Sequence, residues 1–346
     1  LIDYLSGQRD FLIKNLKIPK IYDSQNRLIL ENDALYQLSI ISKNETAKSL
    51  IDILNKTSTP MGYRELYEVL TKPFTNFEII KNRLNCINFF INLKNDNLSD
   101  FTNIVTSLKK VGDIQRLQRR IFFKNLKMDE LFKLHTFYEY IIKVFNILIS
   151  KKNKPLLLKI NKNFISEFKS FIKEYVKIFD AEKSKDFTKI KNGVDPKYDE
   201  MVTGISMNKA LIEEIYNFLK TVITDTKMKS YIKMGTEPSG KIKITVTKTI
   251  TTQIKKLNLP QKYTDKKSND YLEFVAKGNT FKVKSVSLKN ANRVLLIYEE
   301  ELKKKTKEIY DGVLVNLAKY DDFMSRLCEF IGLIDVSISG ALSALE

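Results

Sequence analysis

The residues of this sequence best suited to a definite chemistry are lysines gathered in one stretch. Sixteen of the 59 Lys and Arg residues lie within residues 227–293, beside four acids, so this stretch carries +12 of the total charge of +18. A positive field focused in this way is how proteins hold phosphate backbones. Residues 227–293, called the basic module from here on, are therefore predicted to bind a polyanion, and nucleic acid is the first candidate.

Nine lysines of the basic module are the candidates for contacts to phosphate groups. Those on or beside predicted strands are Lys241, Lys243, Lys248, Lys282 and Lys284, and those assigned to a polar loop are Lys255, Lys256, Lys266 and Lys267. A flexible ammonium group suits nonspecific contact with a backbone better than the reading of bases. A second interpretation is that these lysines only keep an exposed hairpin soluble, although solubility alone does not require so one-sided a charge.

Elsewhere the sequence gives no sign of a catalytic or metal-binding site. Its one histidine, His135, and its two cysteines, Cys86 and Cys328, cannot form a four-ligand zinc site by themselves. We interpret the cysteines as buried thiols, with a single disulfide as the alternative. The sequence has no Gly-x-x-x-x-Gly-Lys-Ser/Thr stretch for nucleotide phosphates and no nucleophile paired with a base. We therefore predict no catalytic residue, no metal and no cofactor in this segment.

The elements that must position the basic module are long helices on either side of it. With 11 glycines and seven prolines among 346 residues, the composition favours long helices. Between residues 198 and 226, apolar residues recur at helical spacing, among them Met201, Ile205, Ile212, Ile215 and Leu219. From residue 294 onward, a nearly heptad seam includes Leu302, Ile309, Val313, Leu317 and Met324. An antiparallel pair of helices is the simplest arrangement that these patterns allow.

Inside the basic module the apolar pattern changes to the period of a strand. Apolar Ile242, Ile244 and Val246 alternate with Lys243, Thr245 and Thr247, which predicts a strand with one packed side. Residues 271–276 and 280–286 flank a Lys-Gly-Asn turn signal and are predicted to form a hairpin. The expected fold class is therefore mainly α, with a small β-rich domain inserted between two antiparallel helices of a long-helix domain. No uninterrupted apolar run of about 18 residues occurs, so we expect no membrane span and no membrane partner.

Several blocks of the sequence resemble, in the same order along the chain, those of the MutS family of DNA mismatch-recognition proteins. They are SLIDILNKTSTPMGYR at residues 49–64, VGDIQRL at 111–117, NGVDPKYDE at 192–200, KGNTF at 277–281, SLKNA at 287–291 and LIDVSISGAL at 333–342. The sequence departs from the family pattern at Ser39, Asn55, Val69 and Gln115, none of which is expected to do chemistry.

The resemblance implies a domain assignment and a function. Residues 1–226 and 294–346 are the expected lever, or core, domain, and residues 227–293 the expected clamp domain. The implied partners are duplex DNA, gripped without sequence preference, and a second MutS-type subunit, identical or homologous, inside the cell. The resemblance also implies that the lever relays ATP-driven conformational change from an ATPase domain outside this segment, to which ATP and Mg²⁺ belong. We accordingly expect the chain to be a piece of a longer protein.

Two other functions stay open at this point. In one, the helices form a scaffold whose basic tip binds an acidic protein partner. In the other, the protein is a MutS relative that acts on recombination junctions instead of mismatches. The triplet Phe137-Tyr138-Glu139 is similar to the Phe and Glu with which this family reads mismatches, but its helical context favours packed side chains.

Overall fold

The computed structural model describes residues 26–42, 48–179, 189–223, 225–256, 260–278 and 280–346. The chain divides into two compact units. Unit 1 lies within Leu1–Arg120, Lys133–Ser170 and Tyr320–Glu346, and unit 2 within Ile121–Phe132 and Phe171–Lys319.

Helices make up most of the described chain. Before the basic module they are α1 (Asn32–Gln37), α2 (Leu50–Leu54), α3 (Pro60–Thr71), α4 (Phe77–Asp96), α5 (Leu98–Leu108), α6 (Ile114–Phe122), α7 (Met128–Ser150), α8 (Lys162–Val176) and α9 (Pro196–Val222). The module itself contains α10 (Thr226–Lys229), β1 (Lys233–Thr236), β2 (Ile242–Thr247), α11 (Lys248–Lys256), α12 (Gln261–Thr264), β3 (Glu273–Lys277) and β4 (Thr280–Lys284). Two long helices follow, α13 (Val286–Ala318) and α14 (Asp321–Ala344).

Polar side chains fix the helix ends in unit 1. The hydroxyl of Thr59 accepts a hydrogen bond from the Gly62 N–H, and Pro60 opens α3 at the position where its missing N–H costs nothing. Asn97 accepts a hydrogen bond from the Asp100 N–H and caps α5. Asn97 is therefore the single residue between the two helices, because it both ends α4 and begins α5.

The core of unit 1 depends on α14, which packs against α3 and α4. Its buried side chains include Phe323, Leu327, Ile331 and Ile338. Among the described residues, α14 is the helix that is long and apolar enough, by length and composition, to cross a membrane. Because 56% of its most apolar window is buried inside the protein, this apolar character is that of a core helix.

Both cysteines are buried in unit 1 and are free thiols, Cys86 in α4 and Cys328 in α14. Burial raises the pKa of Cys86 to about 11 and the pKa of Cys328 to about 12. The interpretation of the cysteines as buried thiols is therefore confirmed.

Unit 2 is built on the pair of helices α9 and α13, which pack against each other. Ion pairs join Asp195 to Lys305 at 3.1 Å and Lys209 to Glu299 at 3.2 Å. Residue numbers rise along α9 as they fall along α13, so the predicted antiparallel pair is confirmed.

Two details of this pair were not evident from the apolar pattern. Gly204 allows a close approach of the helices, because a Cβ there would lie 2.3 Å from the ring of Tyr298. Helix α13 begins at Val286, earlier than the position 294 indicated by the pattern. The reason is local, since the side chain of Ser285 accepts a hydrogen bond from the Leu288 N–H and starts the helix there.

The four strands of the module form one antiparallel sheet in the order β1-β2-β4-β3. The predicted strand and the predicted hairpin are both present, as β2 and as β3 with β4. Gly278 in the hairpin turn has a φ of +59°, a left-handed value that glycine adopts without strain. A small sheet inserted between α9 and α13 of a mainly helical chain confirms the expected fold class.

One face of the sheet, the inner face, shares an apolar core with the end of α9 and the beginning of α13. Ile244, Val246 and Val283 are the buried residues of the strands in this core. The assignment of Lys255 and Lys256 to a polar loop is wrong, because both belong to α11. This helix forms in spite of its threonine-rich sequence because Ile250 and Ile254, one turn apart, are buried in the same core.

Candidate nucleic-acid interface

The opposite face of the sheet, the outer face, collects lysines from all four strands. Residues directly opposite one another on neighbouring strands point to the same side of a sheet. Thr245 of β2 lies opposite Lys233 of β1 and opposite Lys282 of β4. Lys282 in turn lies opposite Val275 of β3. Alternation along each strand then gives an outer face that carries Lys233, Lys243, Lys277, Lys282 and Lys284.

The outer face is open to solvent, whereas the inner face is packed. Lys233, Lys277 and Lys284 are exposed, and Lys243 and Lys282 are half-buried. Lysine stems can lie along a surface while their ammonium groups stay in water. The sheet therefore presents several positive charges to one side, an arrangement suited to successive phosphate groups.

Two acids stand within this group of lysines. Glu273 of β3 lies opposite Lys284, and the second acid is Glu237. It follows β1, and its Oε1 accepts a hydrogen bond from Lys282 Nζ at 2.8 Å. This hydrogen bond from Lys282 holds the pKa of Glu237 below its ordinary value, and the charges of Lys277 and Lys243 act in the same direction. Glu237 is thus ionised at neutral pH and offsets one of the lysine charges.

The nine lysines named from the sequence fall on several elements of the module. Lys243, Lys282 and Lys284 lie together on the outer face, and Lys241 is exposed directly before β2. Lys248 begins α11 and Lys256 ends it, and both are exposed. Lys266 and Lys267 are exposed in the turn after α12. The backbone of Lys255 belongs to α11, and its side chain lies outside the part of the chain that the structure describes.

Sequence reasoning missed two lysines of the outer face, Lys233 and Lys277. Lys277 was assigned to the hairpin turn, although continuing the alternation of the strand by one residue would have included it. Lys233 lies on β1, whose sequence Lys-Met-Gly-Thr is too short and too poor in apolar residues to show a period of two. Its place on the face follows only from its pairing with β2.

Three of the blocks that resemble the MutS family, at residues 49–64, 111–117 and 333–342, meet one another inside unit 1. Arg64 donates two hydrogen bonds to Asp113, from Nη1 to Oδ2 at 3.0 Å and from Nη2 to Oδ1 at 2.8 Å. Asp113 also accepts a hydrogen bond from the Arg116 N–H at the start of α6. Burial opposes ionisation of Asp113, but the hydrogen bonds from Arg64 and Arg116 hold its pKa below the ordinary value. These hydrogen bonds join α3 to the start of α6.

Asp335 joins α14 to the segment that opens α3. The residue is fully buried, and its carboxylate accepts hydrogen bonds from the Ser58 N–H at 2.9 Å, the Thr59 N–H at 2.7 Å and the Thr59 hydroxyl at 2.8 Å. Burial raises the pKa of Asp335, and the hydrogen bonds from Ser58 and Thr59 act against that rise. Gly62 completes the site, because a Cβ there would lie 2.1 Å from Asp335 Oδ2.

The aromatic triplet of α7 is part of the packing of unit 1. Tyr138 is fully buried and meets Phe168 edge to face, with ring centroids 5.5 Å apart. Phe137 packs over Gly112, where a Cβ would lie 2.6 Å from its ring. These contacts are those of packed helical side chains, in agreement with the interpretation from the sequence.

Comparison with known proteins gives a consistent result. The profile of MutS domain III matches residues 33–341 of the chain. The mutS homolog L359 of Acanthamoeba polyphaga mimivirus is 26% identical over 100% of this chain and 33% of its own length. The DNA mismatch repair protein MutS of Petrotoga mobilis is 26% identical over 97% of this chain and 39% of its own length. The mitochondrial DNA mismatch repair protein mutS homolog of Sarcophyton glaucum is 24% identical over 100% of this chain.

The chain thus spans between 33% and 39% of the length of these relatives. The match to domain III runs from the helices of unit 1 through the sheet of unit 2 and into α14. It therefore includes both Arg64, Asp113 and Asp335 of the motif blocks and the lysines of the outer face.

Proposed function

The chain belongs to the MutS domain III family, and on this premise we propose that its basic module grips the backbone of duplex DNA without sequence preference. The observation that carries the proposal is the outer face, where lysines from all four strands lie together. Relatives that match nearly the whole chain are named for DNA mismatch repair, which favours DNA over other polyanions.

The side chains of the outer face suit a sugar–phosphate backbone better than base edges. Each ammonium group that neutralises a phosphate releases condensed counterions, and this release favours binding to any sequence. Among the described residues of the outer face there is no arginine and no aromatic side chain. Arginine reads guanine edges and aromatic rings stack on bases, so their absence from this face fits a grip without base recognition.

We further propose that the helical part is a lever and that the module is its clamp, with residues 1–226 and 294–346 in the first and 227–293 in the second. Helix α9 leads into the module and α13 leads out of it, and both share one apolar core with the sheet. A shift of one helix against the other would reach the sheet through packed side chains.

In the whole protein this lever would carry changes driven by ATP, which binds with Mg²⁺ in an ATPase domain outside the segment. Two subunits, identical or homologous, would place two clamps around one duplex, inside the cell.

The direct test is to replace Lys241, Lys243, Lys282 and Lys284 by glutamate and to measure binding of a duplex oligonucleotide. We expect the affinity to fall more than about a hundredfold at roughly 0.15 M salt, because attractive contacts to phosphates become repulsive. Unchanged duplex binding would contradict the proposal and would favour the alternative of an acidic protein partner.

A control variant distinguishes an effect of the outer face on DNA affinity from an effect of the net charge of the protein. Four exposed lysines of unit 1, Lys109, Lys152, Lys162 and Lys169, are replaced by glutamate, so the net charge changes by the same amount. This variant should lose less than about threefold in affinity, because the proposal places the phosphate contacts on the outer face and not on unit 1. Equal losses in both variants would show that DNA responds to net charge and not to the outer face.

A further inference from the structure

A cleft of about 510 Å³ opens in unit 2 beside the end of the sheet. Its walls come from β2, β3 and β4, from the turn after α12 and from the first turns of α13. A cleft of this volume falls within the range in which proteins enclose small ligands or single large side chains.

The floor and the rim of this cleft differ in chemistry. Apolar side chains line its inner part, namely Ile242, Ile244, Val283 and Leu288. Lysines surround them, namely Lys241, Lys266, Lys282, Lys284 and Lys289, against the single acid Glu273. The site therefore combines an apolar cavity with a strong excess of positive charge.

Most of these lysines are available to an incoming anion. Lys282 is held by Glu237 at 2.8 Å. The other four lysines of the rim are exposed and form no ion pair among the described residues; they are Lys241, Lys266, Lys284 and Lys289. Unpaired like charges around one cleft repel one another, and a ligand with several carboxylates would relieve that repulsion.

We propose that this cleft docks an acidic segment of a partner protein, in which a large apolar side chain stands among carboxylates. The apolar side chain enters the cleft and contacts Ile244 and Leu288, while the carboxylates pair with the lysines of the rim. A sugar–phosphate backbone satisfies the rim but leaves the apolar floor without a contact, so duplex DNA is the poorer match. This site is distinct from the DNA grip proposed above, although Lys241, Lys282 and Lys284 border both.

The first part of the test compares three fluorescent peptides by anisotropy. One carries glutamates on both sides of a phenylalanine, the second has alanine in place of the phenylalanine, and the third has glutamines in place of the glutamates. We expect the first to bind the protein and each of the others to bind at least about tenfold more weakly, since each lacks one half of the match. No binding of the first peptide, or equal binding of the alanine peptide, would overturn the proposal.

The second part assigns binding to the cleft with two rim variants. Lys289→Glu reverses a charge of the rim, and Val286→Trp fills the cleft from a residue that is 50% exposed, so that folding is spared. Both should weaken the acidic phenylalanine peptide about tenfold. Lys243→Glu is the control, because Lys243 lies on the outer face but does not line the cleft. It should change peptide binding less than about threefold at roughly 0.15 M salt.

The same variants distinguish this proposal from the DNA grip. Val286→Trp keeps every charge and should leave duplex affinity unchanged, whereas Lys243→Glu should weaken it. An effect of Lys243→Glu on the peptide as large as that of Lys289→Glu would overturn the assignment to the cleft. A single-stranded oligonucleotide that binds in place of the peptide, and is lost in Val286→Trp, would show that the cleft takes a base and would overturn the peptide proposal.

Discussion

The charged residues of the motif blocks in unit 1 and those of the sheet in unit 2 are used in opposite ways. In unit 1, Arg64 is paired with Asp113, and Asp335 accepts hydrogen bonds from the segment that opens α3. On the outer face of the sheet, Lys233, Lys277 and Lys284 are exposed, and Glu237 offsets only Lys282. Removing one member of a buried charged contact destabilises a fold, because the other member is left without its partner, whereas exposed charges of one sign are suited to a partner of the opposite sign.

The comparison explains why the family resemblance and the proposed function rest on different residues. The hydrogen bonds of Asp335 require one residue type at one position, because three donors from the adjacent residues Ser58 and Thr59 converge on its carboxylate. A lysine face requires only that enough ammonium groups point to one side, so its positions are free to vary. Motif blocks therefore identify the family, while charge and register identify the surface.

The largest effect on folding is expected from Asp335→Ala. The substitution leaves the Ser58 N–H, the Thr59 N–H and the Thr59 hydroxyl without their buried acceptor. We expect the free energy of unfolding in urea to fall by about 3–5 kcal/mol. Asp335→Asn keeps one acceptor oxygen and should cost less. Equal stability of Asp335→Ala and the wild type would contradict the view that the charged contacts of unit 1 hold the fold while the lysines of the outer face do not.

The buried thiols give a second test of unit 1. The pKa values of about 11 for Cys86 and about 12 for Cys328 mean that little thiolate exists near neutral pH in the folded protein. At about pH 8 a thiol reagent should react more than about a hundredfold faster with the unfolded chain, whose cysteines regain a pKa near 8.5. In the folded protein, the rate of reaction of each thiol should rise with pH until the pH reaches its pKa, about 11 for Cys86 and about 12 for Cys328. Fast reaction of both thiols in the native protein would contradict their burial.

A smaller effect on stability is expected from the pair of Arg64 and Asp113. A double-mutant cycle with Arg64→Ala and Asp113→Ala should give a coupling energy of about 1 kcal/mol, since the pair has two parallel hydrogen bonds but is partly exposed. Duplex affinity should not change in any of these variants. A loss of DNA binding without a loss of stability would place Arg64 in the interface and would contradict the comparison.

The smallest effect is expected from Glu237→Gln, which acts on binding instead of folding. The change releases Lys282 from its ion pair, so duplex affinity should rise about threefold at low salt. The slope of log affinity against log salt concentration should steepen by the amount expected for about one more phosphate contact. Glu273→Gln is a matched control, because Glu273 lies on the same face opposite Lys284. It should have the smaller effect, and an equal rise in both variants would show that the ion pair of Glu237 is irrelevant.

Local patterns predicted the elements whose residues alternate or repeat regularly. The alternation at Ile242, Ile244 and Val246 indicated β2, and the apolar repeat indicated α9 and α13. Helix α11 was missed because Thr251 and Thr252 lower helix propensity, and burial in a core made by distant segments outweighs that preference. Neither β1 nor the place of Lys233 follows from local sequence, because both depend on pairing with β2.

The candidate site was predicted in its charge but not in its geometry. The excess of lysine marked the basic module, and Lys243, Lys282 and Lys284 do share a face. The ion pair of Lys282 with Glu237 joins residues 45 positions apart and follows only from the register of the sheet. In the same way, the bond between Thr59 and Asp335 joins residues 276 positions apart, so the role of Asp335 could not be read from its own block.

The measurement that tests the central claim most directly is the affinity of the wild-type protein for a duplex oligonucleotide as salt is raised. If the outer face and its neighbouring lysines contact about six phosphates, a rise from about 50 to about 200 mM salt should weaken binding roughly a thousandfold, with no dependence on base sequence. An affinity that stays constant over this range, or that varies with base sequence more than with salt, would contradict a grip on the phosphate backbone.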